Sequence, residues 1–282
     1  MTQIVRTIHE VRGFVSDCRR KGWKTGFVPT MGAFHAGHLS LIRQARRECD
    51  SVIVSIFVNP LQFSAGEDYD QYPRQLDRDL RMAESEKADI LFCPEVAEMY
   101  PKGFDTYIDQ SDGGLPSKLC GRFRPGHFRG VMTVVCKLFN MVRPDVAYFG
   151  QKDYQQYLII RRMTIDLNLD VDVRVHPTVR EEDGVAMSSR NIYLGPKQRK
   201  DAGCLHQALR RAEEMVSNGE SSAARVTSEM KRVINRVKGA RIDYIAVVNS
   251  ETLEPLKEIK GKTLIALAVR IGKARLIDNA LV

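Results

Sequence analysis

The sequence predicts an α/β fold: a Rossmann-like parallel sheet with helices on both faces over residues 1–185, followed by a smaller C-terminal α+β domain over 186–282. Three observations carry this expectation. Short runs of β-branched and aromatic residues alternate with longer stretches of helical periodicity through the first 180 residues. The clearest strand run, 52–58, is apolar almost throughout, as a strand covered on both faces requires. After Asn191 the order changes to two helices and then two strands, with a hinge expected near 183–196.

Each element follows from its pattern. Phe27-Val28 reads as a buried strand entering the turn Pro29-Thr30-Met31-Gly32, and Leu41, Ile42, Ala45 and Cys49 recur at helical spacing behind it. The strand at 52–58 is followed by the stripe Leu76, Leu80 and Ala83 and by the short run Ile90-Leu91-Phe92-Cys93. Val131, Val134, Val135, Leu138 and Val142 mark a helix that Pro144 stops. A strand at 146–149, a helix at 158–169 and a strand at 171–175 complete the first domain. In the second, helices are expected at 197–217 and 221–237, the latter striped by Val226, Met230, Val233 and Val237. Strands are expected at 242–248 and 264–270. Strands alternating with helices imply a parallel main sheet with right-handed crossovers, and ligands beyond the carboxyl ends of its strands.

Composition narrows the class. Among 282 residues, 43 Lys and Arg against 35 Asp and Glu give a net charge of +8, which favours anionic partners. Hydrophobic residues at 43% and charged ones at 28% describe a globular chain rather than a disordered one. The first residues carry Arg6, His9 and Glu10 without an apolar segment, so no secretory signal is read. No apolar run approaches the ~20 residues of a membrane-spanning helix. Six scattered cysteines without a C-x-x-C pair suit reduced thiols, and a cytoplasmic location is expected.

The densest chemical signal is Pro29-Thr30-Met31-Gly32-Ala33-Phe34-His35-Ala36-Gly37-His38, two histidines three apart where a strand hands over to a helix. Residues i and i+3 share one helix face, and free N–H groups and the positive dipole end point the same way. A phosphate is the natural occupant, and Gly37 would let a nucleotide approach the backbone. Two surface histidines at an ordinary helix start, or a metal pair, are the alternatives; zinc would want a third ligand and a supporting carboxylate. Met187-Ser188-Ser189-Arg190-Asn191, in the inter-domain loop, offers two hydroxyls and a guanidinium to a triphosphate, though such a triplet is common in solvated loops. Phe149-Gly150-Gln151-Lys152-Asp153 places a point charge and a ribose-accepting carboxylate at another strand end. Asn59 and Gln62, in Phe57-Val58-Asn59-Pro60-Leu61-Gln62-Phe63, are amides among apolar residues. They pair either with backbone or with an uncharged polar part of a substrate, and Gln155-Gln156 repeat that chemistry.

Together and in this order, these segments resemble the pantoate–β-alanine ligase (pantothenate synthetase) family of the His-x-Gly-His nucleotidyltransferases. The resemblance runs over nearly the whole chain and includes Arg124-Pro125-Gly126-His127-Phe128, Lys137-Leu138-Phe139-Asn140 and Ala274-Arg275-Leu276-Ile277-Asp278-Asn279. It implies a two-step reaction in which pantoate attacks the α-phosphorus of ATP, giving pantoyl adenylate and pyrophosphate. The amine of β-alanine then displaces AMP. It also implies that residues 31–38, Gly150, Gln151, Lys152, Asp153, Val179, Met187, Ser188, Ser189 and Arg190 line the ATP site. Gln62 and Gln156 would hold pantoate, with Gln62 also near β-alanine, and His38 would be a proton donor; Asn59 stays a substrate-binding candidate on its residue chemistry alone.

His35, His38, Lys152 and Arg190 are the donors available to the charge that builds on the phosphates. Mg2+ is expected as a partner of ATP, with Asp77 or Asp79 as candidate ligands, although an exposed helix start explains these equally well. The resemblance further implies small-molecule substrates, no nucleic acid or membrane partner, and a homodimer. Ala36, Gln151 and Cys120 depart from the acidic residues expected there. Against a tRNA-charging enzyme stands the short second domain; an ATP-sensing module would bind nucleotide without releasing pyrophosphate.

Overall fold

Six strands form one parallel sheet: β1 (Gln3–Val5), β2 (Thr25–Thr30), β3 (Ser51–Ile56), β4 (Ile90–Phe92), β5 (Val146–Gly150) and β6 (Asp172–His176). Their order is β1-β4-β3-β2-β5-β6. This computed structural model describes residues 1–64, 66–111 and 113–282. The chain builds outward from β2 through β3 to β4, then returns to place β5 on the other side of β2. The order therefore reverses between β2 and β5, and a crevice opens there beyond the carboxyl ends of the strands.

The helices of this layer are α1 (Ile8–Arg20), α2 (Ala36–Glu48), α3 (Leu76–Ser85), α4 (Val96–Met99), α5 (Leu119–Phe123), α6 (His127–Val142) and α7 (Tyr154–Asp166). Alternate strand residues feed opposite cores, as a period of two demands. Phe27, Ile53, Phe92 and Phe149 pack with residues of α1, α6 and α7. Val28, Val54, Leu91 and Tyr148 pack with those of α2 and α3. Each side chain buried this completely contributes roughly 1.5–3 kcal/mol. Helix α6 ends where Arg143 turns left-handed (φ 44°), its N–H donating to Phe139 O at 2.7 Å, just before Pro144.

The C-terminal part of the chain contains α8 (Pro196–Asp201), α9 (Gly203–Ser217) and α10 (Ala223–Ile234), followed by β7 (Arg241–Asn249), β8 (Thr263–Ile271) and β9 (Ala274–Leu281). These strands form an antiparallel sheet with β8 in the middle. One face packs on α9 and α10. The other meets α7 through Tyr154, Leu158, Leu264 and Ala266. The fold class is the one expected. No helix among the described residues is long and apolar enough to cross a membrane.

Several elements differ from the sequence reading. Strand β1 and helix α1 were not anticipated, although Thr7 and Glu10 form a capping box. Thr7 Oγ1 accepts from Glu10 N at 3.2 Å, and the Glu10 carboxylate accepts from Thr7 N at 2.8 Å. Strand β9 was hidden because Asp278 and Asn279 are polar residues inside it, yet both are buried with partners. The helix expected at 197–217 is two, interrupted at Ala202 before Gly203, whose backbone freedom weakens a helix interior. The apolar run at 52–58 leaves the sheet after Ile56.

Candidate active site

A cavity of about 230 Å3 lies at the point where the strand order reverses. His35 and His38 reach it from β2 and the start of α2, and Lys152 and Asp153 from the end of β5. Asn59 and Gln62 follow β3; Gln156 comes from α7; Val179, Met187, Ser188, Ser189 and Arg190 come from the inter-domain segment. Residues from five separate stretches thus converge on one space.

The two imidazoles lie with ring centroids 4.1 Å apart, tilted by 32°. His35 Nδ1 accepts the Gly37 N–H at 3.2 Å, which leaves the ring proton of the neutral form on Nε2. A Cβ on Gly37 would sit 2.9 Å from the His35 ring, so this glycine makes room for the imidazole of its own chain. Burial, reinforced by Lys152, pushes His35 down to about 4. Burial, then His35 and Lys152, holds His38 well below the ordinary histidine value. Both rings are therefore neutral near pH 7 and act as N–H donors rather than cations. His38 Nδ1 and Thr178 Oγ1, both on residues lining the cavity, are buried without a hydrogen-bond partner, which a bound polar ligand would relieve.

The remaining candidates divide. Gln62 Nε2 donates to Met31 Sδ at 3.0 Å, and Asn59 Nδ2 donates to Gln62 Oε1 at 3.1 Å. Asn59 is not free for a substrate. Its Nδ2 also donates to Gly130 O at 3.1 Å, while Oδ1 accepts from Leu61 N at 3.2 Å and Tyr100 OH at 2.8 Å. All four of its hydrogen-bonding positions are filled, so it fixes Gln62 rather than a ligand. Gly130 makes the same joint possible, since a Cβ there would stand 2.2 Å from Leu61 O. Gln155 is likewise structural, accepting from Cys120 N at 2.9 Å and donating to Leu115 O and Lys118 O at 2.8 Å. Gln156 faces the cavity.

Asp79 takes a different place from the one the sequence suggested. It is buried, and its two oxygens accept the N–H groups of Ala33 (2.8 Å) and Phe34 (2.7 Å). It thus braces the turn where Gly32 and Ala33 are both left-handed (φ 81° and 52°). Asp77 is exposed at the start of α3, and neither residue lines the cavity. Among the described residues no group of three His, Cys, Asp or Glu stands ready to hold a metal ion. Gly32, Ala33, Phe34, Ala36 and Gln151 also fall outside the lining. Gln151 instead donates to Asn279 Oδ1 at 3.3 Å, and Asn279 Nδ2 donates to the carbonyls of Gln151 (2.9 Å) and Lys152 (3.0 Å).

The inter-domain loop is stitched to the site. Ser189 Oγ donates to Ala33 O at 3.1 Å, and Ser188 Oγ accepts from Arg190 N at 3.3 Å. Arg190 forks onto Asp68 and lies 5.6 Å from the Tyr72 ring centre, so its charge is already partnered. Lys152 Nζ is 3.4 Å from Asp153 Oδ2.

His127 appears in the sequence only as part of the segment Arg124-Pro125-Gly126-His127-Phe128, with no role given to it. It is buried at the head of α6 and lines the cavity. Arg124 Nη1 donates to His127 Nε2 at 2.9 Å, since a guanidinium has no acceptor. The ring proton is therefore on Nδ1, which donates to Gln62 O at 2.8 Å. Burial and Arg124 push His127 down to about 4. Arg124 in turn forks onto Glu67 through two bonds of 2.7 Å. No local spacing advertises this chain, because its members come from residues 62, 67, 124 and 127.

Paired N–H donors and a lysine at the reversal point of a parallel sheet define an α/β enzyme that handles nucleotide phosphates. The sequence model of the pantoate-beta-alanine ligase family matches residues 3–281. The chain is 55% identical to the pantothenate synthetase of Heliobacterium modesticaldum over 99% of each. It superposes on a crystal structure of pantothenate synthetase from Thermus thermophilus with a TM-score of 0.94, at 47% identity over 99% of each chain. It also superposes on the Francisella tularensis pantoate-beta-alanine ligase, solved with beta-gamma ATP and beta-alanine. There the TM-score is 0.83 at 37% identity, covering 100% of this chain and 98% of that one. The chain belongs to the pantoate–β-alanine ligase family.

Proposed function

We propose that this enzyme joins pantoate to β-alanine at the expense of ATP, through a pantoyl adenylate, releasing pyrophosphate and AMP. The observation that carries this reading is the convergence of His35, His38, Lys152, Gln62 and Gln156 on one cavity. Val131, Val134, Val135 and Leu138 of α6 form an apolar wall to it. That wall suits the geminal methyl groups of pantoate, while Gln62 and Gln156 offer amides to its hydroxyls and carboxylate.

Lys152 supplies a fixed positive charge to the phosphates, and the N–H donors of His35 and His38 meet the α-phosphate and the departing bridging oxygen. Burial keeps both rings neutral; a triphosphate beside them raises their affinity for protons, which suits His38 to protonate the leaving group. Mg2+ belongs to this reading as a partner of the incoming nucleotide's phosphates. In the second step the neutral amine of β-alanine attacks the acyl carbon and AMP leaves, with orientation lowering much of the barrier. Residues 186–282 act as a lid on the catalytic domain 1–185, and the enzyme works as a cytoplasmic homodimer on small molecules alone.

Pantoate labelled with 18O in its carboxylate tests the mechanism. Label is expected in AMP after a complete turnover. Formation of ADP with labelled inorganic phosphate would instead establish an acyl phosphate and remove the adenylate.

A further inference from the structure

The second domain carries an arrangement that the proposed chemistry does not use. Arg241, Arg270 and Arg275 lie directly opposite one another across β7, β8 and β9, paired 241 with 270 and 270 with 275. Residues so paired share one face of the sheet at roughly 4.5–5.5 Å spacing, and like charges there are destabilising. All three line a cleft of about 1050 Å3 between the domains, together with Lys273.

Asp243 is the carboxylate set among them, accepting from Arg270 Nε at 3.1 Å and Arg275 Nε at 2.7 Å. Arg241 has no ion pair among the described residues. Arg275 is mostly buried, lying 5.9 Å from the ring centre of Phe123 and 6.0 Å from that of Tyr244, with Nη1 donating to Cys120 Sγ at 3.4 Å. Its Nη2 is buried without a partner. A ladder of three guanidiniums against one carboxylate, with a donor left unsatisfied, is an incomplete charge arrangement that an anion would complete.

We infer that the Arg241–Arg270–Arg275 ladder is a second anion site, selective for a di- or triphosphate. The ladder spans about 10 Å, two cross-strand spacings, which a single phosphate does not cover. Its cleft shares Lys152, Gln156, Ser188 and Arg190 with the smaller cavity, so the two spaces adjoin. The choice of pyrophosphate as natural occupant rests on the proposed reaction, which releases it; the charge arrangement does not.

Isothermal titration with inorganic pyrophosphate, inorganic phosphate and β,γ-methylene ATP separates the possibilities. It is run on the unaltered chain, on Arg241→Ala/Arg270→Ala, and on Lys152→Ala. Arg241 and Arg270 are exposed, so the double variant should fold, which circular dichroism checks. Pyrophosphate is expected to bind at least tenfold more weakly to the double variant, to remain bound by Lys152→Ala, and to bind more tightly than phosphate. A parallel loss for the ATP analogue would make the nucleotide's own phosphate tail an occupant; loss for pyrophosphate alone would make it the free product. Unchanged pyrophosphate binding in the double variant, or binding abolished only by Lys152→Ala, would overturn the proposal. Neither result touches the isotope experiment, so the two readings fail independently.

Discussion

Arg190 and Asp68 face one another in a two-pronged ion pair, Nε to Oδ2 at 2.8 Å and Nη2 to Oδ1 at 2.9 Å. The pair uses two of the five N–H donors of the guanidinium, and the Asp68 carboxylate competes with a phosphate for the same positive charge.

Removing the competitor should therefore favour the nucleotide. Asp68→Asn is expected to lower the KM for ATP severalfold, because hydrogen bonds to charged groups contribute about 1.5–3 kcal/mol and the neutral amide competes less well. Initial-rate kinetics with ATP as the varied substrate decide it. A raised KM would mean that the pair orients Arg190 productively as it stands.

Gly37 separates stability from activity. Alanine is about 1 kcal/mol better than glycine inside a helix, yet its methyl group would stand 2.9 Å from the His35 imidazole. Gly37→Ala should leave the melting temperature unchanged or slightly higher while slowing pyrophosphate release by tenfold or more. A variant of full activity would show that the position of the His35 ring does not matter.

Lys152→Ala and His38→Ala should each reduce adenylate formation by a hundredfold or more. Losing one donor aimed at developing charge typically costs about 3–4 kcal/mol of barrier. Pyrophosphate release at near-normal rate, in variants whose circular dichroism is unaltered, would take these residues out of the reaction.

Asn59→Ala tests a joint rather than a contact. It strips partners from Gly130 O, Tyr100 OH, Leu61 N and Gln62 Oε1. With each orphaned buried group costing about 1–3 kcal/mol, urea denaturation should show a loss of several kcal/mol. The KM for pantoate should rise as Gln62 loosens. Unchanged stability would mean that water replaces the amide.

Acid should weaken the fold through His127. Its proton affinity is ordinary, near 6.5, in the unfolded chain and pushed down to about 4 in the folded one. Between those values the unfolded state binds the extra proton, so stability falls as pH falls through that window. For His127 the loss between pH 7 and pH 5 is about 2 kcal/mol. His127→Asn, compared with the unaltered chain by urea denaturation at both pH values, should show a correspondingly shallower decline. Identical slopes would place the acid sensitivity elsewhere.

Residues whose chemistry is local were legible in the sequence. His35, His38 and Lys152 stand at strand ends that hydrophobic patterning alone locates. Asn59 was not, because two of the four partners that fill its amide, Tyr100 and Gly130, lie 41 and 71 positions away. Asp79 looked like a helix-start carboxylate, and only the folded turn reveals two backbone N–H groups converging on it. Strand β9 was obscured by the same fact that gives it meaning: its polar residues are buried because distant groups complete them. Asp278 holds Arg180 and Asn279 holds the backbone around Lys152. Helix α1 was overlooked despite a capping box that was there to read.

The clasp of Asn279 on the carbonyls of residues 151 and 152 has a bearing on synthesis. A polypeptide emerging from the ribosome can assemble its parallel sheet once β6 is out, yet the lysine loop lacks this anchor until β9 has followed. A nascent chain halted shortly before residue 279 would be folded over most of its length and still an unfinished catalyst.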